Sequence, residues 1–363
     1  MNGTSMGYRS KSPERVVAEL NDLEDRYGIS DFEAVDNILD MAYYKTLLPR
    51  LAADGRQRRI FFEIKANVTR ARLEDMVRAG ITWVQPGIES LHSDVLRLMD
   101  KGIQGWQNLQ LLKWSCELGL QLTWSVLSGF PGEKDEWYED MAAWLPALEH
   151  LPPPSGMSVI RYDRYSVYHE QAKRYGLLLF PIGAMSLVYP VGPADLDGLT
   201  YFFATEPGAG PLRYMKREQE LISSRPGLVA TREAVRDWQA GHMTKQPVLE
   251  LEDRDGELEI TDSRRCVRSQ RHILTGLERA VCLACDAAPR EGKLAEIIER
   301  DFGLAPTDDE IAVAVDRLLS DRLVLAMDGR LVGLAVKGPV PASLTADQFP
   351  GGHVVVGPVP GQG

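Results

Sequence analysis

Short apolar runs in the first half of the chain end in polar residues whose side chains could bind one ligand together. The most distinctive run covers residues 83–88 and is followed by Glu89 and Ser90, a carboxylate and a hydroxyl. A buried parallel strand has this pattern when its carboxyl end opens onto a site. Four further runs end in polar or glycine residues, at Asp36-Asn37, Lys65-Ala66-Asn67, Gly129-Phe130-Pro131-Gly132-Glu133 and Arg161-Tyr162-Asp163-Arg164.

These five strand ends would share one mouth, because the carboxyl ends of parallel strands lie on the same edge of a sheet. The set suits a zwitterionic ligand that carries a nucleoside. It offers oxygen acceptors for an ammonium and for ribose hydroxyls, arginines for a carboxylate, and glycines where a base approaches the backbone. On spacing alone, this ligand and an unspecified barrel enzyme are equally good interpretations. Taken singly, Glu89 or Asp36 is more often a helix cap or a surface charge, and Gly129 and Gly132 serve a tight turn.

Strand and helix patterns alternate five times through residues 12–165, which predicts parallel βα units. The strand candidates are 32–35, 60–64, 83–88, 122–127 and 157–160. The pattern opens with a loop and a helix, marked by the cap residue Ser12 and by Pro13, where a barrel would place its first strand. We therefore predict an α/β fold built on a partial (β/α) barrel that lacks its first strand.

The rest of the chain divides into further segments. Residues 191–265 form a connecting segment with an aromatic cluster, a helix and a β-hairpin around Asp255-Gly256. Residues 266–337 combine three helices with a hairpin about Asp328-Gly329, which predicts a small winged-helix-like module. The partial barrel is then 1–190, and 338–363 is a Pro/Gly tail that we expect to be disordered.

Composition narrows the classes of partner. The net charge of −11 and the pI near 5.2 argue against nucleic-acid or membrane binding over the whole chain. No signal peptide is visible, and the most apolar segment, 176–192, is interrupted by prolines and glycines. The four cysteines are too few for a disulfide framework, so we expect a cytoplasmic protein. Cys282 and Cys285 lie on an amphipathic helix, and we interpret them as core residues, not as metal ligands.

Four segments carry a resemblance to a known family: SKSPER (10–15), VDNIL (35–39), QPGIESL (85–91) and GFPGE (129–133). Together they resemble radical SAM enzymes, and more narrowly the subgroup called RiPP maturation radical SAM protein 1. This resemblance covers roughly residues 3–205. It implies a six-stranded partial barrel that holds S-adenosylmethionine (SAM) against a [4Fe-4S] cluster. The implied activity is formation of a 5′-deoxyadenosyl radical, or methyl transfer to carbon, on a ribosomal precursor peptide, as in bacteriocin biosynthesis. Related members carry a cobalamin-binding domain upstream.

The resemblance also implies roles for the strand ends. Asp36 and Asn37 match the end that meets the SAM amino group, and Glu89 and Ser90 match the end that contacts ribose. The glycine segment beside adenine corresponds to Gly129, Pro131 and Gly132, and the last polar end to Arg161 and Arg164. We include Lys65 in the same cofactor-binding set and assign no catalytic residue.

One departure from the family concerns the cluster. The family's C-x-x-x-C-x-x-C motif follows its first strand, whereas this chain has no cysteine before Cys116. A cluster held by thiolates needs those ligands, so we predict no metal ligand here and expect an N-terminally truncated form of the enzyme. The alternative is a non-catalytic scaffold that binds SAM or a leader peptide (the part of the precursor that the enzyme recognises but does not modify).

A third hypothesis is a DNA-binding regulator that uses the winged helix. Its predicted third helix, 308–321, carries five acidic residues against the single cation Arg317. Phosphates would repel such a helix. Peptide recognition is therefore the more plausible role for the module, and we expect the leader and core of a precursor peptide as partner, with no nucleic acid and no membrane.

Overall fold

The computed structural model describes residues 9–35, 38–207 and 211–341. The α-helices of these residues are α1 (Pro13–Tyr27), α2 (Tyr43–Thr46), α3 (Leu48–Ala53), α4 (Arg70–Arg78), α5 (Ser93–Leu98), α6 (Gly105–Leu118), α7 (Glu136–Trp144), α8 (Val167–Glu170), α9 (Met185–Val188), α10 (Pro193–Leu199), α11 (Pro211–Ser223), α12 (Pro226–Thr244), α13 (Gly276–Ala284), α14 (Leu294–Phe302) and α15 (Asp308–Ser320). Short 3-10 turns lie at Leu145–Leu148, Ala172–Tyr175, Cys285–Ala287 and Glu291–Lys293.

The strands are β1 (Asp31–Glu33), β2 (Arg59–Ile64), β3 (Ile81–Pro86), β4 (Gln121–Leu122), β5 (Val126–Ser128), β6 (Met157–Val159), β7 (Tyr162–Asp163), β8 (Phe180–Pro181), β9 (Phe202–Ala204), β10 (Leu249–Arg254), β11 (Glu257–Asp262), β12 (Arg271–Thr275), β13 (Val324–Met327), β14 (Arg330–Gly333) and β15 (Val336–Lys337). The first four form one parallel sheet in the order β1-β2-β3-β4, and β5 pairs with β6, also in parallel. The predicted parallel sheet is confirmed, while the partial barrel stays a prediction.

The predicted single strand over 122–127 is wrong, because β4 and β5 are separated at residues 123–125. Thr123 still donates its backbone N–H to the Val84 carbonyl (3.0 Å), but the Trp124 carbonyl accepts from the Ser155 N–H (2.6 Å). The Trp124 indole is buried and donates to the Pro152 carbonyl (3.1 Å). The stretch thus changes partner from β3 to the segment that leads into β6, which local periodicity does not reveal.

The helices cover one face of the parallel sheet. In β2, Ile60, Phe62 and Ile64 belong to the hydrophobic core together with Leu73 and Met76 of α4. Because strand side chains alternate between faces, Phe61 and Glu63 lie on the opposite face. Burial of each large aliphatic side chain contributes about 1.5–3 kcal/mol, so this packing fixes which face of the sheet points away from the helices.

The start of α1 follows its sequence signals. The Ser12 hydroxyl accepts a hydrogen bond from the Arg15 N–H (3.3 Å), and Pro13 occupies the first turn. The helix ends at Gly28, which has φ 64°. The cap predicted at Ser12 is confirmed.

A second sheet has the order β12-β11-β10-β15. Strands β10, β11 and β12 are antiparallel, and β12 leads directly into α13. This sheet crosses the boundary predicted between residues 265 and 266, since Ile273 of β12 pairs with Glu259 of β11. Helices α13, α14 and α15 and the β13–β14 hairpin correspond to the elements predicted for the C-terminal module. Its assignment as a winged helix stays a prediction.

Buried charges connect the N-terminal sheet region to the C-terminal elements. The Lys113 ammonium on α6 lies 3.0 Å from a carboxylate oxygen of Asp286 and also donates to the Gly333 carbonyl. The Arg264 guanidinium is fully buried, forms an ion pair with Asp262 (2.6 Å) and donates to the carbonyls of Ala147 and Arg322. These contacts join elements far apart in the chain.

The predicted disordered tail is wrong for its first residues. Gly338 donates its N–H to the Leu251 carbonyl (3.3 Å), and Val340 donates to a carboxylate oxygen of Glu250 (3.2 Å). Residues 342–363 lie outside the described residues. Within the ranges that the structure describes, no helix has the length and apolar character needed to cross a bilayer.

Candidate functional site

The carboxyl ends of the parallel strands lie side by side along one edge. Leu39, just after β1, donates its N–H to the Glu63 carbonyl of β2 (2.8 Å). Leu127 of β5 donates to the Glu89 carbonyl that follows β3 (2.8 Å). Ile160, after β6, donates to the Ser128 carbonyl (2.8 Å). The strand ends that the sequence singled out are therefore neighbours. Asp36 and Asn37, however, lie outside the described residues.

Glu89 is the most unusual residue on this edge. Its backbone has φ 57°, in the left-handed region that side chains other than glycine rarely adopt. One oxygen of its carboxylate lies 3.2 Å from the Lys101 ammonium, which also donates to the Gly87 carbonyl (3.3 Å). The pair is partly exposed, so the Glu89 carboxylate remains accessible to a ligand.

Ser90 points elsewhere. Its side chain is fully buried, and its hydroxyl accepts from the His92 N–H (3.0 Å) and lies 3.4 Å from the Met141 sulfur on α7. The Asn108 amide donates to the Ser90 carbonyl (2.8 Å) and to the Ile88 carbonyl (3.0 Å), which holds the turn in place. The structure thus does not bring the Ser90 hydroxyl to the Glu89 carboxylate.

The glycine segment after β5 is organised by Glu133. One of its carboxylate oxygens accepts from the N–H groups of Gly129 (2.9 Å) and Phe130 (3.0 Å) and from the Tyr138 hydroxyl (2.7 Å). The other oxygen forms an ion pair with Arg225. Burial and the neighbouring Glu133 charge raise the pKa of Tyr138, so its hydroxyl stays protonated and donates. The backbone N–H groups of Gly129 and Phe130 therefore already donate to Glu133 and are not free to donate to a ligand.

Gly129 and Gly132 have different surroundings although both have positive φ angles, 86° and 85°. A Cβ at Gly129 would lie 2.6 Å from a methyl carbon of Val159 on β6, whereas a Cβ at Gly132 would meet no atom within 4 Å. Gly129 therefore allows close packing of two strands, and Gly132 leaves open space at the turn. Pro131 between them is half-buried.

The basic residues of the set are dispersed. Lys65 is exposed at the end of β2. Arg161 is exposed, lies 3.7 Å from Asp163 and stacks over the Phe202 ring. Arg164 donates to the Thr200 carbonyl (2.7 Å) and to the Asp197 carbonyl, so much of its guanidinium is engaged by the segment before β9.

Sequence reasoning missed the residues on the sheet face opposite α4. Phe61 pairs in register with Trp83, with ring centroids 4.6 Å apart, and Glu63 pairs with Gln85 two residues nearer the carboxyl edge. Partial burial raises the pKa of the Glu63 carboxyl. Among the described residues, no hydrogen bond or ion pair involves this carboxylate. The signal was the charge at position 63 between the apolar residues 62 and 64.

The sequence profile of the radical SAM superfamily matches residues 2–145. The match covers 144 of the 363 residues. The matched residues include the ends of β1 to β5, with Glu63, Glu89 and the Gly129–Gly132 turn.

Comparisons with individual proteins cover parts of the chain. An uncharacterized methyltransferase, PH0819 of Pyrococcus horikoshii, is 28% identical over 135 residues, which are 36% of this chain and 29% of that protein. The methyltransferase TsrM from Kitasatospora setae, solved with cobalamin and a [4Fe-4S] cluster, aligns at 20% identity and a TM-score of 0.38 over 43% of this chain and 32% of its own. The cobalamin-dependent SAM radical enzyme OxsB aligns at 14% identity and a TM-score of 0.29 over 86% of this chain and 46% of its own. The chain thus spans less than a third of PH0819 and of TsrM.

The radical SAM superfamily implies SAM and a [4Fe-4S] cluster, and the cysteines of this chain do not fit the cluster. Cys116, Cys282 and Cys285 are buried, which raises the pKa of the Cys116 and Cys282 thiols to about 12 and that of Cys285 as well. Such thiols stay protonated, whereas a cluster needs thiolates. The described residues contain no group of three or more potential metal ligands. The interpretation of Cys282 and Cys285 as core residues is confirmed.

The same strand edge does fit parts of SAM. An accessible carboxylate at Glu89 can accept hydrogen bonds from hydroxyl or ammonium groups. The turn at Gly132 lets a planar base approach the backbone, because no atom of the described residues lies within 4 Å of the position that its Cβ would take.

Proposed function

We propose that this chain is the SAM-binding and peptide-binding part of a radical SAM enzyme that modifies a ribosomal precursor peptide, within the RiPP maturation subgroup. The radical SAM match to residues 2–145 supports the SAM-dependent part. An open sheet edge beside an apolar groove, in the C-terminal elements, carries the peptide-binding part. The proposed organisation keeps a partial barrel over 1–190, a connecting segment over 191–265 and a winged-helix-like module over 266–337.

Within this proposal, the strand ends bind SAM. Glu89 receives the ribose hydroxyls, with Lys101 fixing one of its carboxylate oxygens, and the turn at Pro131 and Gly132 lies against adenine. Asp36 and Asn37 are assigned to the amino group, and the exposed cations Lys65 and Arg161 to a carboxylate. Bound SAM supplies a deoxyadenosyl radical or a methyl group in this superfamily, and any cluster needs ligands other than the four cysteines of this chain. We assign cobalamin, which the TsrM structure contains, to no residue of this chain.

The open edge is strand β12. Among the described strands, it pairs only with β11, on one side, and ends the sheet β12-β11-β10-β15. An unpaired edge presents backbone donors and acceptors to which a peptide can add as a further strand. Ile273 in the middle of β12 is 48% exposed, so this edge also offers an apolar contact.

The apolar groove lies between α13 and α15 and has a volume of about 340 Å³. Leu277, Val313 and Ala314 line it, and Val313 is 71% exposed. The carboxylates of Glu278, Asp309 and Glu310 surround it, with Arg317 paired to Glu278. The arrangement favours an extended segment with apolar residues for the groove and basic residues for its acidic rim.

The test is fluorescence polarisation with a labelled extended peptide of alternating leucine and lysine. Val313→Asp places a charge in the groove, and Ile273→Pro removes a backbone donor from β12. We expect both to weaken binding roughly ten-fold. Leu187→Asp is the matched control, because Leu187 is 88% exposed on α9. Equal weakening by all three, or no binding by the unaltered chain, would refute the peptide site. Calorimetric titration with SAM tests the cofactor half independently.

A second candidate is a non-catalytic scaffold that binds SAM or leader peptide. The observation that favours it is the protonated, buried state of the thiols of Cys116, Cys282 and Cys285. The two candidates share both binding tests. They differ in reductive cleavage of SAM, which only the enzyme performs and which needs a cluster held by ligands other than the four cysteines of this chain.

A further inference from the structure

Glu63 and Gln85 face each other on adjacent strands, on the sheet face that points away from the helices. Gln85 is exposed and Glu63 is half-buried. Two residues earlier in each strand, on the same face, lie Phe61 and Trp83, both buried and in ring contact. Trp83 is held by a hydrogen bond from its indole N–H to the Thr123 hydroxyl (2.6 Å). A carboxylate and an amide thus stand above a rigid aromatic floor.

Within the described residues, Glu63 has no partner of the opposite charge. Lys65, two residues along the same strand, is exposed and forms no ion pair with Glu63 in the described part of the chain. Lys101 is engaged by Glu89 and Gly87. A half-buried carboxylate without a partner destabilises a protein, because it loses water contacts and gains nothing in exchange. Such groups are over-represented at binding sites.

Structural roles do not account for this residue. Its neighbours 62 and 64 pack into the core on the other face, and the backbone of Glu63 pairs in the sheet and accepts a hydrogen bond from Leu39. A leucine or threonine would serve the strand as well, since β-propensity favours such residues over glutamate.

We propose that Glu63 and Gln85 form a subsite for a cationic side chain, an ammonium or a guanidinium, of the peptide segment being modified. The proposal rests on the function proposed above and names the chemistry of its substrate. The Glu63 carboxylate supplies the charge, the Gln85 amide oxygen is a second acceptor, and the aromatic floor excludes water from one side. SAM also carries an ammonium, but its proposed contacts lie beyond the strand ends, two to four residues further along the chain.

The experiment uses the full chain and three probes in calorimetric titrations: N-acetyl-arginine amide, its neutral isostere N-acetyl-citrulline amide, and SAM. We expect the arginine probe to bind and the citrulline probe to bind much more weakly. Glu63→Gln, which keeps the shape of the side chain, should weaken arginine binding roughly ten-fold. Glu33→Gln is the matched control, because Glu33 is an exposed carboxylate on the same face, in register with Phe61. It should change nothing.

Three outcomes would overturn the subsite: equal affinity for arginine and citrulline probes, equal effects of Glu63→Gln and Glu33→Gln, or loss of SAM binding in Glu63→Gln with arginine binding intact. The last outcome would assign Glu63 to the cofactor. A thermal unfolding scan of Glu63→Gln is the control that checks whether the variant is folded. Failure of the proposed function is distinguishable, because it appears as loss of binding to the β12 edge and of SAM binding in the unaltered chain.

Discussion

The Glu89 carboxylate lies 3.2 Å from the Lys101 ammonium while the Glu89 backbone stays in the left-handed region, with φ 57°. The left-handed conformation costs a non-glycine residue roughly 1–2 kcal/mol. A partly exposed ion pair contributes about 0–1 kcal/mol, which does not outweigh that cost. Stability alone would favour glycine here. A strained backbone conformation whose cost no stabilising contact offsets indicates a role in ligand binding.

The variant Glu89→Gly separates the effect of Glu89 on stability from its effect on SAM binding. Glycine adopts this φ without strain, so we expect the free energy of unfolding to stay the same or to rise by about 1 kcal/mol. SAM binding should fall at least ten-fold, because the carboxylate is lost. Urea unfolding and calorimetry measure the two quantities. Lys101→Met, which keeps the carboxylate, should retain most SAM binding. A Glu89→Gly variant that is less stable yet binds SAM normally would assign Glu89 a structural role.

Gly129→Ala and Gly132→Ala form a matched pair with nearly equal φ angles. Alanine at either position meets the backbone cost of about 1–2 kcal/mol. Only at Gly129 does the added Cβ collide with Val159, so Gly129→Ala should lose roughly 1–3 kcal/mol more. The double change Gly129→Ala with Val159→Ala should recover part of that excess, since it removes the colliding methyl. Equal destabilisation of the two single variants, by urea unfolding, would contradict the steric explanation.

Asp286 should make stability depend on pH. Burial alone would raise the pKa of its carboxyl, but the Lys113 ammonium outweighs that effect, and the pKa is lowered. A lowered folded-state pKa contributes stability that is fully present above the unfolded value, near 4, and is lost as pH falls through the folded value. Asp286→Asn leaves Lys113 buried without its partner, and we expect a loss of about 3 kcal/mol at pH 7.

Urea unfolding at pH 7 and pH 3 measures the difference in the free energy of unfolding between the unaltered chain and Asp286→Asn. The change of this difference with pH checks the predicted direction. The difference should shrink at the lower pH, because the unfolded state of the unaltered chain takes up a proton there more readily than the folded carboxyl does. Replacing both residues, with Lys113→Met and Asp286→Asn, should cost less than the two single changes added together. A difference that grows toward low pH would show that another group controls this region.

Some of the architecture follows from local pattern, and some depends on distant contacts. Strands β2 and β3 were predictable because their apolar runs are short and end in polar residues, although β3 covers Ile81–Pro86 and the prediction was 83–88. The break at Trp124 was not, since it depends on a hydrogen bond with Ser155 that no local pattern encodes. The burial of the Ser90 hydroxyl under α7 has the same origin, a contact with Met141 some fifty residues along the chain.

The sequence predicted the location of the site, at the carboxyl ends of the parallel strands, but not the side-chain contacts within it. Parallel strand ends meet by geometry, so Glu89 and Gly129 had to be neighbours. That Glu133 occupies the amides of Gly129 and Phe130 depends on its rotamer and on Arg225 from a distant helix. Glu63 was visible in principle, because an acidic residue interrupts an otherwise apolar strand and must face away from the core.

DNA binding is disfavoured by the charge of α15. Its first turn carries Asp308, Asp309 and Glu310, and its last turn carries Arg317, which pairs with Glu278. Because phosphate contacts dominate DNA affinity, we expect no mobility shift of a duplex probe even at low salt. A shift that disappears as salt rises would revive the regulator hypothesis.

Iron uptake tests whether the thiols of this chain can hold a cluster. Anaerobic reconstitution with iron and sulfide should leave the purified chain with close to no bound iron, because Cys116, Cys282 and Cys285 are buried thiols whose pKa values lie far above neutrality. Cys266 is half-exposed, and a single thiol cannot hold a four-iron cluster. A Cys266→Ser variant controls for iron bound loosely at that residue. If the chain instead takes up iron and sulfide in cluster proportions, with the absorbance of a [4Fe-4S] centre that survives in Cys266→Ser, then the buried thiols must move to the surface on binding. The packing described for α6 and α13 would then be only one state of the protein.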